Sequence, residues 1–381
     1  MTNAFSERIR GLAAQLAQSL HEGVEDADKT EVFRRDSFEA ICSKGIAALH
    51  FPKAFGGMEL PYALFLSAIE EIAAVDAGIA VALSVHSGLA GNVIIKYGSI
   101  EIHEEWLPQM ATGKALVAYA LTEPDAGSDP SRIRTTAKKK GDEWVLNGEK
   151  MWITSGANGD LSVLYALAEV DGVEKGITAF VVPHTTEGFS SEKISGKLGI
   201  RTSDTAALVL KDVRIPDSHR LGEIGRGHAI ALEALDGGRL GISAVSLGIH
   251  RAARDEMIRY AQEREQFGRP IAGFQLIQEM IADVVTDYEA GRLLLRCALE
   301  AREKGRYTKE ASISKLFTSE AAMHAADRCV QVHGGYGYSS EFPAERFFRD
   351  ARVLTLFEGT SEIQRLLIGR LVTGVDAFGS R

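Results

Sequence analysis

The first part of the chain carries apolar side chains at helical spacing. Residues 9–17 show it first, and in the segment 62–74 the positions Ala63, Leu66, Ile69 and Ile72 recur every three residues. This spacing collects apolar side chains on one face of a helix, whereas a strand would need a period of two. We therefore predict a mostly helical domain over residues 1–117.

Residues 118–225 show a different pattern, in which glycine and proline recur and short apolar runs alternate with turns. Strands are predicted over 177–183 and 206–210. The run 144–146 and the run 151–154 flank Asn147-Gly148, a pair that favours a two-residue turn because both positions accept a positive φ. We therefore predict a β-hairpin here, within a mainly β middle domain.

Long helical patterns return after residue 225. They cover 239–264, 274–303 and 310–332. A final helix is predicted to start near Thr360, where Ser361 and Gln364 fit a capping box. The order helical, β, helical predicts an α+β protein of several domains, with bounds at 1–117, 118–225 and 226–381.

Composition narrows the class of protein. The chain has 381 residues, which is long enough to bury a large core. Its formal net charge of −9 disfavours a basic surface that binds nucleic acid. Its 3 cysteines lie far apart and form no C-x-x-C pair, which favours a reducing compartment and no metal site. The N-terminus shows no secretory pattern, and the apolar stretch 78–85 is too short for a membrane span. We expect a cytoplasmic protein that binds no nucleic acid.

Five segments combine glycine with polar or charged side chains. Taken singly, each has a simpler interpretation: a turn, a core tryptophan, a charged corner between helices, a helix C-cap, or a carboxylate placed beside a helix dipole. In the last segment Glu358 lies between Phe357 and Gly359. An apolar neighbour raises the pKa of a carboxyl group and a helix N-terminus opposes the rise, so Glu358 suits a base near neutral pH. The segments span 120–129, 151–156, 264–275, 331–338 and 356–362.

Together and in this order, the five segments resemble the acyl-CoA dehydrogenase family over nearly the whole chain. Residues 119–129 resemble the family's first signature, and residues 331–335 with 358–365 resemble the second. The resemblance implies a C-terminal four-helix-bundle domain and a homotetramer. It also implies an FAD cofactor, bound between the β domain and the C-terminal helices.

The resemblance assigns cofactor contacts to individual residues. One set lines the flavin, a second reaches the FAD of a neighbouring subunit, and a third supplies the last contacts. These sets are Tyr119, Leu121, Thr122, Gly127, Ser128, Trp152, Ile153 and Thr154; then Arg264, Phe267, Gln275, Gln331 and Gly335; then Thr360 and Glu362. The implied substrate contacts are Ser128, Asp236, Arg239 and Gly359.

Glu358 matches the catalytic base of the family. Some members carry the base beside the residue that matches Arg239, where this chain has Gly238, and that absence favours Glu358. Phe357 stands where a tyrosine is common. The implied reaction removes the α proton to the base while the β hydrogen leaves as hydride to flavin N5. The backbone N–H of the base and a flavin ribityl hydroxyl polarise the thioester carbonyl, and the electrons pass on to an electron-transfer flavoprotein.

The acyl group is predicted from one position. Glutaryl-specific members carry an arginine in the helix that lines the acyl end, and an ungapped match places Ala80 there. A carboxylate tail would lack a partner, so we predict a neutral short or branched acyl-CoA as substrate and the trans-2-enoyl-CoA as product. Two alternatives stay open: an oxygen-using acyl-CoA oxidase, which the chain length disfavours, and a non-enzymatic helical assembly protein, which the intact Glu358 disfavours.

Overall fold

A computed structural model describes residues 3–377 of the chain. Its amino-terminal part confirms the predicted helices, since 9–17 lies in the first helix and 62–74 corresponds to the third. A π-helical segment, Ser84–Gly91, joins the fourth helix to the fifth. The helices are α1 (Asn3–Thr30), α2 (Arg35–Ser43), α3 (Tyr62–Ala73), α4 (Ala77–Leu83), α5 (Asn92–Tyr97) and α6 (Ile100–Thr112).

The apolar segment that contains α4 and α5 is longer than its sequence pattern suggests. Ala77–Tyr97 is a continuous helical stretch of 21 residues, long and apolar enough to cross a membrane by length and composition. The prediction of a stretch too short for a span was therefore wrong about its length. However, 89% of the stretch's most apolar window is buried inside the protein, which is typical of a core helix.

The middle part forms a mixed sheet with two different faces. Its strands run in the order β6-β7-β3-β2-β4-β5-β8, with β1 beside β4. Along β4, Val163 and Tyr165 face the helical core, whereas Leu164 and Ala166 face a second apolar cluster that contains Trp144. The strands are β1 (Val117–Ala120), β2 (Thr136–Lys140), β3 (Glu143–Thr154), β4 (Leu161–Val170), β5 (Val173–Pro183), β6 (Phe189–Lys193), β7 (Thr205–Pro216) and β8 (Arg220–Leu221).

The hairpin predicted at Asn147-Gly148 was wrong, because β3 passes through both residues as one strand. The Asn147 side chain exchanges two hydrogen bonds with Asp212 on β7: its Nδ2 donates to Oδ1 at 3.0 Å, and its Oδ1 accepts from the backbone N–H at 2.9 Å. Gly148 has φ +147°, and a Cβ there would lie 2.6 Å from Thr135 Oγ1. The pair therefore forms an irregularity inside a long strand and makes no turn.

The carboxy-terminal part is helical, as predicted. Helix α7 packs against α8 and α9, and α11 packs against α9. Helix α10 was not predicted, and α7 begins twelve residues before the expected Arg239. The domain bounds at 117/118 and 225/226 stay a prediction. The elements are α7 (Gly227–Glu263), the short strands β9 (Glu265–Gln266) and β10 (Arg269–Pro270), then α8 (Gln275–Glu303), α9 (Thr308–His333), α10 (Ala344–Leu354) and α11 (Ser361–Thr373).

The cap of α11 lies one residue earlier than the predicted capping box. Thr360 is the N-cap, and its Oγ1 accepts a hydrogen bond from the backbone N–H of Ile363 at 3.3 Å. The Ser361 hydroxyl is buried and finds no hydrogen-bond partner within 3–377. The capping-box assignment of Ser361 and Gln364 was therefore wrong, and Gln364 has a different role in the site.

Candidate active site

Glu358 lies in the short loop between α10 and α11, and the main chain of that loop is firmly held. Glu358 and Gly359 are consecutive left-handed residues, with φ of +52° and +89°, a conformation that an L side chain adopts only under support. Lys315 Nζ donates to the Gly359 carbonyl at 2.8 Å. Gln364 Nε2 donates to the carbonyls of Glu358 at 3.1 Å and Gly359 at 3.0 Å. These contacts fix where the Glu358 side chain begins.

The Glu358 carboxylate lies against α7 at Gly238. A Cβ built at Gly238 would be 2.5 Å from Glu358 Oε2 and 2.9 Å from its Cδ. A side chain on α7 at this position would therefore collide with the carboxylate. The bare glycine creates the room that Glu358 occupies.

Burial sets the charge state of Glu358. Its Oε2 is shielded from solvent and has no hydrogen-bond partner in the described part of the chain. Burial raises the pKa of Glu358 to about 7, while the positive charges of Arg239 and Lys315 act to lower it. An unpartnered carboxylate with a pKa near neutrality suits a proton acceptor.

Asp236 and Arg239, one turn apart on α7, form a buried ion pair. Arg239 Nη1 donates to Asp236 Oδ1, and the Thr308 hydroxyl donates to Asp236 Oδ2. Burial raises the pKa of Asp236, and the neighbouring guanidinium opposes that rise. Arg239 Nε is buried and lacks a partner within residues 3–377. The structure thus places both predicted substrate residues on the helix that faces Glu358.

A buried ion pair holds the loop that follows β1. Lys150 Nζ donates to Glu123 Oε1 at 2.8 Å and to the Leu121 carbonyl at 3.2 Å. The same Glu123 carboxylate accepts the backbone N–H groups of Arg134 and Thr135. The side chains of Lys150 and Glu123 are only 0% and 6% exposed. The pair fixes a loop that begins with the predicted flavin residues Leu121 and Thr122.

The predicted flavin residues converge where this loop meets an irregularity in β3. The Met151 N–H donates to the Thr122 carbonyl at 3.0 Å, and the register of β3 shifts between Lys150 and Ile153. Trp152, at the shift, has φ +62° and is 62% exposed. An exposed indole beside hydroxyl groups fits a flat aromatic ring with polar edges. The other members of the set are Tyr119, Leu121 and Ile153, which are buried, Thr154, which is half-buried, and Gly127 and Ser128, which are exposed.

The residues predicted for a neighbouring subunit's FAD lie elsewhere on the surface. Arg264 and Gly335 line one cavity of about 600 Å³, together with Tyr260, His333 and Tyr336. The Arg264 guanidinium carbon lies 5.6 Å from the centre of the Tyr336 ring. The other residues of this predicted set are exposed and do not line the cavity. They are Phe267, Gln275 and Gln331.

The last predicted contacts lie beside the Glu358 loop. Thr360 caps α11, and Glu362 is exposed in its first turn. Gly359 is half-buried next to Glu358, with its carbonyl engaged by Lys315 and Gln364. This cluster is therefore compact in the structure.

Sequence reasoning missed Lys315, Gln364 and the Lys150–Glu123 pair. A signal for Lys315 exists, because it shares a helical face with Ala311, Thr318 and Ala322, at intervals of three and four residues, and all of these are buried. A lysine in a buried stripe needs a specific partner. No comparable pattern marks Lys150 within its strand.

The chain is similar to known proteins over nearly its whole length. Family models for the acyl-CoA dehydrogenase N-terminal, middle and C-terminal domains match residues 3–114, 118–213 and 225–373. The short-chain specific acyl-CoA dehydrogenase of Rattus norvegicus is 41% identical, over 90% of this chain and 83% of its own.

Two further similarities cover nearly the full length. The caffeyl-CoA reductase-Etf complex subunit CarC of Acetobacterium woodii is 38% identical over 97% of this chain and 99% of its own. The solved structure of butyryl-CoA dehydrogenase from Megasphaera elsdenii has a TM-score of 0.94 at 36% identity, with 98% of both chains covered. The chain therefore belongs to the acyl-CoA dehydrogenase family of FAD-dependent oxidoreductases.

Proposed function

We propose that the chain oxidises a short or branched acyl-CoA thioester to the trans-2-enoyl-CoA, with Glu358 as the acceptor of the α proton. The observation that carries this proposal is the buried Glu358 Oε2, which is unpartnered within 3–377 and lies against the bare Gly238. Its pKa of about 7 keeps a large ionised fraction at neutral pH. A short acyl-CoA as substrate is supported by two similar proteins, which are named as a short-chain specific acyl-CoA dehydrogenase and a butyryl-CoA dehydrogenase.

The same loop offers a donor for the thioester carbonyl. Over the described residues, the backbone N–H of Glu358 donates to no protein acceptor, so it is free to bind an oxygen atom of the substrate. A donor aimed at the carbonyl stabilises the negative charge that develops as the α proton leaves. Ser128, Asp236, Arg239 and Gly359 are the proposed substrate contacts.

The proposed cofactor contacts follow the two groups of residues described above. The loop after β1 and the exposed Trp152 would hold the flavin, while the cavity at Arg264 and Gly335 would bind FAD from a neighbouring subunit. Bound FAD supplies the acceptor for the hydride that leaves the β carbon. The separation of the two groups within one chain supports a homo-oligomer, which we propose to be a homotetramer.

The acyl end and the electron acceptor complete the proposal. Ala80 is fully buried in α4, so this position offers no cation to a carboxylate tail, which supports a neutral acyl group. A relative from an Etf complex supports an electron-transfer flavoprotein as acceptor. Assays across acyl-CoA esters with a dye acceptor test the first point, and preference for glutaryl-CoA would contradict it.

The central experiment combines a spectrum with a titration. We expect purified protein to show a flavin spectrum, and anaerobic addition of short acyl-CoA esters to bleach it. Glu358→Gln should keep the flavin colour and lose about 10³-fold or more in turnover. Near-normal turnover of that variant would overturn the assignment of the base, and rapid reoxidation of the reduced flavin by air would favour the oxidase alternative.

A further inference from the structure

Lys315 is a buried cation directly beneath the catalytic loop. It lies on α9, 43 positions before Glu358 in the sequence, and its side chain is 0% exposed. Its one hydrogen bond within residues 3–377 joins Nζ to the Gly359 carbonyl at 2.8 Å. Burial of an ammonium group with a single neutral acceptor is costly, so this placement needs a compensating charge nearby.

The nearest candidate for that charge is the carboxylate of Glu358, the residue that precedes the Gly359 carbonyl bound by Lys315. Burial lowers the pKa of Lys315 to about 8, and the Glu358 carboxylate is the strongest of the groups that act to raise it. The other charged groups that affect the pKa of Lys315 are Arg239 on α7, which acts in the same direction as burial, and Glu320 on α9 with Glu362 on α11, which oppose it. The influence is mutual, because Lys315 in turn lowers the pKa of Glu358.

We propose that Lys315 is a positioning residue for the α-proton acceptor, holding the Glu358–Gly359 main chain in its left-handed conformation and favouring the ionised form of the Glu358 carboxylate. The inference rests on the proposed function of Glu358. Lys315 acts through the Gly359 carbonyl and through its charge. Gln364 gives the same main-chain support without a charge, since its Nε2 donates to the carbonyls of both loop residues.

The two roles of Lys315 are separable by the choice of variant. Lys315→Met removes the donor and the charge, so kcat should fall about tenfold or more, since the base is misplaced. Activity rises with pH as the base loses its proton, and loss of a nearby cation raises the pKa of a carboxyl group. The acid limb of the kcat/KM profile should therefore move to higher pH by about one unit. Lys315→Arg keeps the charge and should leave the limb in place.

Two controls complete the series, which uses the flavin-loaded enzyme. Gln364→Leu removes only neutral hydrogen bonds, so kcat should fall while the acid limb stays in place. Lys309→Met removes an exposed lysine of the same helix and should change neither kcat nor the acid limb. If Lys315→Met does not fold, Lys315→Gln carries the same test, because it also removes the charge. An unmoved acid limb in the neutral Lys315 variant would overturn the proposal.

A thermal-unfolding cycle gives a readout independent of activity. The cycle measures the melting temperatures of the wild type, Lys315→Met, Glu358→Gln and the double variant at neutral pH. The change in the double variant should differ from the sum of the two single changes, because the two charges interact. Additive changes would overturn the electrostatic part of the inference. If Glu358→Gln keeps its turnover while the cycle is non-additive, the proposed base is wrong and the Lys315–Glu358 coupling stands.

Discussion

The side chain that Gly238 lacks would occupy the space now filled by the Glu358 carboxylate. The position of a Cβ at residue 238 is 2.5 Å from Oε2, well inside van der Waals contact. The two residues come from different elements, α7 and the loop before α11, so the fit between them depends on how those elements pack. A glycine here carries a cost in helix stability of about 1 kcal/mol relative to alanine.

Gly238→Ala should therefore lower activity without unfolding the protein. The added methyl group displaces the carboxylate, and we expect kcat to fall about tenfold or more, because small displacements of a catalytic group are costly. Gly237→Ala is the matched control, since its Cβ would meet only the Gly88 carbonyl at 3.3 Å and the Asn92 amide at 3.7 Å. Equal activity losses in both variants would contradict the specific fit at Gly238.

Glu358→Gln should change how stability depends on pH. The pKa of Glu358 is raised from 4.5 to about 7 in the folded protein. A carboxyl group with a raised pKa contributes stability that is complete below its unfolded pKa and is lost as pH rises through the folded value. Glutamine does not ionise, so the Glu358→Gln variant does not lose stability in this way as pH rises. Its melting temperature should approach that of the wild type at about pH 4.5 and exceed it at about pH 8. A constant difference in melting temperature between the two proteins across this pH range would contradict burial of the charge.

Lys150→Met should destabilise the protein strongly. It leaves the buried Glu123 without its cation, and breaking one side of a buried pair costs about 3–5 kcal/mol. The loop that begins at Leu121 and Thr122 loses an anchor, so flavin should also dissociate more readily. Lys138→Met is the control, because Lys138 and Glu169 are 53% and 36% exposed and such a pair contributes about 1 kcal/mol or less. Urea unfolding and flavin fluorescence measure both effects.

Thr360→Ala and Ser361→Ala should differ in stability, although both remove a neighbouring hydroxyl. Thr360 caps α11 through the N–H of Ile363, and loss of such a cap costs about 1 kcal/mol. The Ser361 hydroxyl is buried without a partner in the described range, so its removal should be neutral or slightly stabilising. Chemical denaturation of the two variants measures the difference, and a larger loss for Ser361→Ala would restore the capping box that the sequence suggests.

Local patterns predicted the helical, β, helical order because each element carries its own periodicity. They failed at Asn147-Gly148, where the turn signal is strong but the Asn147 side chain pairs with Asp212, 65 residues away. The neighbours of Glu358 marked it as a candidate base, and the family resemblance then matched it to the family's base and supplied the cofactor residues. Neither route found Lys315 or Lys150, because their partners Gly359 and Glu123 lie 44 and 27 positions away, and no periodic pattern reports a contact between a helix or strand and a distant loop.

In the loop before α11, the peptide groups of Glu358 and Gly359 are held through their carbonyl oxygens. Lys315 and Gln364 bind the peptide groups of residues 358 and 359, and no protein donor within 3–377 binds the buried carboxylate oxygen. Gain or loss of a proton on that oxygen therefore breaks none of these tethers. The Glu358 carboxyl group can therefore change between its protonated and ionised forms while its main-chain anchor stays the same.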